Sequence, residues 1–348
     1  MTSAPSRAKA NPTIQDVARA AGVSTATVSR ALSNSDKVSA QTLKRVQDAV
    51  AQTKYVMNHT ARSLRQQRSN SICVVVPALL NSFFSMIIAG VEQVATKAGY
   101  RLFLVDTNLS DGGDFHVARL IESVPMDGLL VIDGGISQQD LLDLEAAGRL
   151  MPSVLICEWR SDTLLPSVTV DNAGGASLAV SHLARLGHEK IGHLTGPKGH
   201  ILGDLRVEGF RRGLENNELS ISDQYLFQSE FSMASGRQAA DTWLGMKDRP
   251  TAVFCASDSQ AFGFISHLTA SGVRVPQDMS VIGFDDVEAA AYFVPSLSTI
   301  SQPTVEMGRR AADLLVRQIA GEHHSDQESV TLGVELVVRD STAAPSSP

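Results

Sequence analysis

The chain has 348 residues, 43% of them apolar, which is more than one ordinary domain needs and enough to bury a sizeable core. No stretch reaches the roughly 18 unbroken apolar residues of a membrane span, and the polar start MTSAPSRAKANP carries no apolar signal core, so a cytoplasmic protein with no membrane partner is expected. Cys73, Cys157 and Cys255 stand apart in apolar runs without CxxC spacing and the nine histidines form no ligand pattern, which points to buried reduced thiols, no metal and no cofactor.

Residues 1–12 read as a disordered tail. Thr13 and Asp16 then stand at capping-box spacing, and Ile14, Val17, Ala18 and Ala21 recur at helical intervals, predicting a short amphipathic helix. Gly22 occupies the place of a left-handed C-cap, and Ser24 can cap a second helix over residues 25–33. That helix turns Val28 and Leu32 inward and leaves Thr25, Ala26, Ser29 and Arg30 outward. A third helix is capped by Ser39, with Val38 and Leu43 at staple spacing and Leu43, Val46, Ala49 and Val50 inward. Small residues near the start of the second helix allow it deep into a major groove, where Arg30 can fork onto a guanine edge. Taken alone, the same corner also fits a helical bundle with no nucleic-acid role.

Charge separates these readings. Eleven Lys and Arg in residues 1–70 stand against Asp16, Asp36 and Asp48, a balance of +8, which leaves residues 71–348 at −15 within an overall −7. An acidic chain with its positive charge gathered at one end has the footprint of a module that neutralises phosphates.

Residues 13–34, TIQDVARAAGVSTATVSRALSN, resemble the headpiece of the lactose and galactose repressor (LacI/GalR) family. The resemblance implies a helix-turn-helix domain over 13–57 in which Thr25, Ala26 and Arg30 read bases while Ser24, Thr27 and Ser29 contact or support phosphates, with Thr13 and Asn34 in the same DNA-facing set. The basic segment 58–70 would be a hinge helix, marginal alone because it is so short. Within it Asn58 is a possible N-cap, Asn58 and Ala61 belong to the DNA-facing set, and Leu64 stands where the family places a minor-groove wedge. Leu64 could instead pack on the following domain.

From residue 71 short apolar runs alternate with helical periods. Strands are expected over 72–76, 101–105, 128–132, 154–157, 168–170, 191–195, 252–256 and 280–284, with helices such as 84–98 between them. This alternation implies an α/β body of parallel sheets with helices on both faces, and about ten strands over about 280 residues suggest two lobes around a shared cleft. Open sheets of this kind bind ligands at the carboxyl ends of their strands. Those ends carry Asn81, Phe83, Phe84, Asp106, Asp133, Glu158, Trp159, Ser257, Asp258, Asp285 and Asp286, which suits a neutral polyol or nucleoside better than an anion.

The family resemblance extends over the whole chain through SVIGFDD at 280–286 and PSLSTI at 295–300. It implies a periplasmic-binding-protein-like body over 71–340, with an N-lobe about 71–168 and 302–328, a C-lobe about 169–301 and 329–340, and a tail over 341–348. Arg206 and Asp285 match the effector-clamping pair, Phe83, Phe84 and Phe231 the aromatic walls, and Asp133, Glu158, Trp159 and Ser257 further pocket positions. Ser257 departs mildly from the Asn or Thr of many sugar binders, and VSTATVSRAL, PTAVFCASD and VIGFDDVE resemble the cytidine-responsive repressor branch.

The expected function is therefore a homodimeric repressor of transcription on pseudo-palindromic operator DNA, controlled by a small effector, a sugar in the first instance and a nucleoside or purine in the second. An enzyme on the same body is opposed by the absence of GxGxxG, GxxxxGK[ST] and GxSxG patterns, and a transport-linked solute-binding protein by the basic headpiece.

Overall fold

The computed structural model describes residues 12–33, 38–55, 69–108, 117–134, 136, 138–157, 165–322 and 329–346. The chain divides into two units, Met1–Ser69 and Asn70–Pro348.

In the first unit α1 (Ile14–Ala21), α2 (Thr25–Ser33) and α3 (Ala40–Thr53) close on Val17, Val28 and Val46, all fully buried, with Ala18, Ala21, Ala31 and Ala49 filling the gaps. Each buried valine contributes roughly 1.5–3 kcal/mol, so a core this small depends on its caps. The Thr13 amide (2.9 Å) and hydroxyl (2.8 Å) both donate to the Asp16 carboxylate, and these bonds hold its pKa below the usual carboxylate range. The corner itself requires a residue without Cβ. Gly22 has φ 63°, and an added Cβ would lie 2.8 Å from Arg45 Nη2. Arg45 uses that nitrogen to cap the end of α1, donating to Ala21 O at 2.6 Å. Ser39 caps α3 by accepting from the Thr42 amide.

The second unit holds two sheets. In the first, β1 (Ser71–Val76), β2 (Arg101–Asp106), β3 (Gly128–Val131), β4 (Ser153–Ile156), β5 (Ser167–Val170) and β11 (Ser329–Leu332) lie in the order β11-β5-β4-β3-β1-β2. In the second, β6 (Ile191–Leu194), β7 (Leu226–Phe227), β8 (Ala252–Cys255), β9 (Ser280–Asp285), β10 (Ser298–Ser301) and β12 (Glu335–Val337) run β12-β10-β9-β8-β6-β7. Among the described residues every strand pairing is parallel except β10 with β12.

Helices α4 (Ser82–Lys97), α5 (Val117–Ser123) and α6 (Gln138–Ala146) follow β1, β2 and β3; α7 (Asn172–Arg185), α8 (Ile201–Asn216), α9 (Met233–Gly245), α10 (Asp258–Ala270), α11 (Glu288–Tyr292) and α12 (Thr304–Ile319) complete the body. Buried β1 after Ser71, and β8 along its whole length, are apolar, as expected of central parallel strands covered on both faces. No helix among the described residues is long and apolar enough to cross a membrane.

The lobes divide differently from the sequence reading. The strand over 167–170 lies wholly in the first sheet, so the chain crosses after Val170 and not at 168. Residues 329–332, assigned to the C-lobe, extend the first sheet instead, where Ser329 and Thr331 meet Ser167 and Thr169 side chain to side chain. This short strand has alternating exposure and a polar face, so no local pattern names its partner. Residues 341–346, read as a tail, belong to the C-lobe: Ser341 is fully buried and donates to Val281 O, while His182 and His188 bond Thr342 and Ala343. All three cysteines are free and buried, and burial pushes the Cys73 thiol up to about 12.

Candidate functional site

Two surfaces carry the residues singled out in the sequence. On the headpiece, Thr25, Ala26 and Arg30 are exposed along one side of α2, and Thr27 and Ser29 are half-buried beside them. Ser24 caps this helix: its hydroxyl accepts from the Thr27 amide at 3.1 Å and shares a 2.8 Å bond with the Thr27 hydroxyl. Arg30 leans back to donate to Ala26 O at 3.3 Å, a long bond that leaves its guanidinium available. Thr13 is exposed at the start of α1. Asn34, Asn58, Ala61 and Leu64 lie outside the described residues.

The second surface is a cleft of about 200 Å³ between the lobes of the body. Its walls are strand ends: Asn81, Phe83 and Phe84 after β1, Asp133 after β3 and Cys157 after β4 face His200 after β6, Phe231 after β7, Ser257 after β8 and Asp285 at the end of β9. Of the nine residues assigned to a pocket from sequence, the seven described ones (Phe83, Phe84, Asp133, Arg206, Phe231, Ser257 and Asp285) all line it. Glu158 and Trp159 lie outside the described residues.

Arg206 is the most constrained of these. One turn further along α8, Gly209 lets the helix touch α7 so closely that a Cβ there would meet Ala173 O at 2.1 Å. Arg206 is thereby held in the interior, 3% exposed, its guanidinium 3.8 Å above the Phe284 ring. Nε donates to Asn172 Oδ1 at 3.0 Å, and Nη1 donates to Ala256 O and lies 3.8 Å from Asp285 Oδ1. His193, stacked between Phe210 and Phe254, is held neutral by burial with its pKa near 3, so the strand beneath adds no second positive charge.

Burial pushes the Asp285 carboxyl up to about 7, against the opposing pull of Arg206 and of the Gln302 amide, which donates to it at 2.8 Å. The pair thus presents a cation and a carboxyl poised near neutrality to anything in the cleft. Such a pair can donate to one hydroxyl and accept from the next, while Phe83, Phe84 and Phe231 cover an apolar ring face. Asp285 (φ 121°), Asp286 (φ 57°) and Cys157 (φ 73°) hold left-handed backbone at these strand ends, a cost of about 1–3 kcal/mol each that is typical of functional positions.

Three carboxylates expected to converge on the cleft serve the fold instead. Asp106 accepts from the Leu79 and Asn108 amides, and Asp286 pairs with Arg339 at 2.7 Å. Asp258, fully buried, accepts from the Thr299 hydroxyl and the Val287 amide; burial, then Asp285, raises its pKa well above the usual value. Conversely, sequence reasoning missed His200, whose ring meets Phe231 edge-on at 5.2 Å. It follows β6 and occupies the N-cap position of α8, with no capping bond from its side chain, so the strand-end rule would have found it.

Comparison with known proteins agrees with this division. Residues 13–58 match the model for bacterial regulatory proteins of the lacI family, and residues 180–342 match the periplasmic binding protein-like domain. The HTH-type transcriptional repressor CytR of Escherichia coli K12 is 36% identical over 332 residues, covering 95% of this chain and 96% of the relative. Among solved structures, the Lac repressor dimer bound to operator and the anti-inducer ONPF superposes with TM-score 0.85 at 29% identity over 96% of this chain and all of that one. The complex of the regulator CelR with cellobiose gives TM-score 0.71 at 29% identity, over 95% of this chain and 99% of that one.

Proposed function

We propose, for a chain that belongs to the lacI family of bacterial regulatory proteins and is a transcriptional repressor and not an enzyme, that a neutral polyhydroxylated effector in the cleft controls its hold on operator DNA. The observation that carries this reading is the buried Arg206–Asp285 pair beneath Phe231 and opposite Phe83 and Phe84. A sugar fits it best: the pair serves adjacent hydroxyls and the rings cover the apolar face. A nucleoside is the second reading, favoured by His200 against Phe231, which extends the aromatic wall far enough for a base.

On the DNA side, Thr25, Ala26 and Arg30 read base edges from the exposed side of α2, with Thr13, Ser24, Thr27, Ser29 and Asn34 on the backbone, and Asn58, Ala61 and Leu64 acting in the following segment. One recognition helix reads only a few base pairs, so a homodimer on a pseudo-palindromic site is required for specificity. A regulator of this kind works in the cytoplasm. Effector and operator are linked reciprocally, and the effector acts only through a difference in affinity between the two states of the lobes.

A thermal-shift screen of the purified chain with D-ribose, cellobiose, cytidine and adenosine tests this, since a ligand of the folded state raises its stability. A compound that raises Tm in the parent chain should lose that shift in Phe84→Ala and Asp285→Asn. A full shift retained in both variants would place the ligand elsewhere.

A further inference from the structure

The two charged residues of the cleft are also bonded to the segments that join the lobes. Among the described residues three segments cross between them: 170–172 from β5 into α7, 301–304 from β10 into α12, and 332–335 from β11 into β12. Asn172, in the first, is 3% exposed; its Oδ1 accepts from Arg206 Nε at 3.0 Å and its Nδ2 donates to Val170 O at 3.2 Å. Gln302, in the second, is 6% exposed and donates to Asp285 Oδ1 at 2.8 Å. The third is tied to the first by the Asp171 amide, which donates to Leu332 O at 3.1 Å.

The result is one chain of contacts, Asn172 to Arg206 to Asp285 to Gln302, running from one crossing segment to another along the second-lobe wall of the cleft. Both ends are buried amides with little freedom to find other partners, and a buried amide left without one costs about 1–3 kcal/mol. Any ligand that draws Arg206 or Asp285 toward itself must therefore lengthen or tighten a bond to a crossing segment.

We infer that Asn172 and Gln302 are positioning residues that couple occupancy of the cleft to the angle between the lobes, each holding one of the two ligand-facing charges to one of the segments about which the lobes turn. This rests on the effector reading of the cleft. It adds that the hinge is set from within the site, so that the free chain already has a preferred lobe angle determined by these two bonds. The titratable groups facing Asp285 are the Arg206 guanidinium from α8 and the Asp258 carboxyl from α10; its neighbour Asp286 is turned to Arg339, and Asp133 and His200 share the cleft.

The test uses the full chain without ligand. Spin labels on Glu145→Cys in the first lobe and Glu215→Cys in the second, both exposed positions, report the inter-lobe distance by pulsed electron resonance, the native thiols being buried. The parent should give one narrow distribution, and Asn172→Ala and Gln302→Ala should broaden it. Gln302→Glu provides the decisive arm: at about pH 5 a proton shared with Asp285 restores the bond and the narrow distribution, and at about pH 8 two facing carboxylates broaden it. Equal distributions in all variants overturn the proposal. So does broadening in Gln302→Glu at both pH values, because lost packing has no reason to follow a proton. If instead the effector reading fails, no compound in the thermal screen shifts Tm while the distance results stand unchanged, so the two failures are told apart.

Discussion

The headpiece and the cleft hold the residues proposed to act in opposite ways. On α2, Thr25, Ala26 and Arg30 point into solvent within six residues of one another, and the core beneath them is made by Val17, Val28 and Val46. In the cleft, Arg206 and Asp285 lie 79 positions apart in the sequence, and both are interior groups whose partners are at once part of the fold and part of the site. Under the proposed roles, function and stability are separable in the first region and fused in the second. The physical reason is the solvent: water satisfies an exposed Arg30 at no structural cost, whereas an interior guanidinium must be satisfied by the protein itself.

The sharpest way to break that comparison is Arg206→Ala. It leaves Asp285 without its cation and removes the donor bonded to Asn172 and Ala256, so a loss of about 3–5 kcal/mol is expected by chemical denaturation. A loss below about 1 kcal/mol would mean that the cleft is as separable as the headpiece.

Next comes the proton on Asp285. Its folded pKa of about 7 stands above the ordinary 3.8, so the folded state holds the proton more tightly; the associated stability is complete below about pH 4 and is lost as pH rises toward 7. The difference in Tm between Asp285→Asn and the parent should therefore grow in favour of the variant across that window and level off above it. A difference that does not change with pH would show that the carboxyl titrates as if exposed.

On the headpiece, Arg30→Ala should cost about 1–3 kcal/mol of discrimination between a specific and a scrambled duplex, yet change stability by less than about 0.5 kcal/mol. Comparable losses of folding and of specificity would erase the contrast between the regions. The smallest effect, about 1 kcal/mol, is expected for Ser39→Ala, which removes the α3 cap without touching the exposed side of α2. Duplex binding at a temperature well below the midpoint should then match the parent.

How much of this could be read in advance follows the same division. The headpiece was legible almost to the residue, because capping by Thr13, Ser24 and Ser39, the left-handed Gly22 and the inward valines are local signals, and α2 begins and ends at the positions expected. In the body the central strands were legible as apolar runs, but β7, β10, β11 and β12 were not anticipated as strands, being short or polar along much of their length. Strand-end chemistry pointed to residues that line one cleft and gave too many of them: Asp106, Asp258 and Asp286 have the same sequence setting as Asp285 and serve amides, a hydroxyl and Arg339 instead.

The sequence by itself determined the class of elements, the basic headpiece on an acidic body and the residue types offered at the strand ends, because helix caps, hydrophobic periods and net charge act over a few residues or by simple summation. Only the tertiary structure decided which sheet takes 329–332, that 341–346 closes the second lobe, which carboxylates face the cleft, and that Asn172 and Gln302 hold its two charges. These are choices of partner between groups far apart in the chain, made by burial and by the need of every interior polar group for a bond, and neither is written in any local stretch of residues.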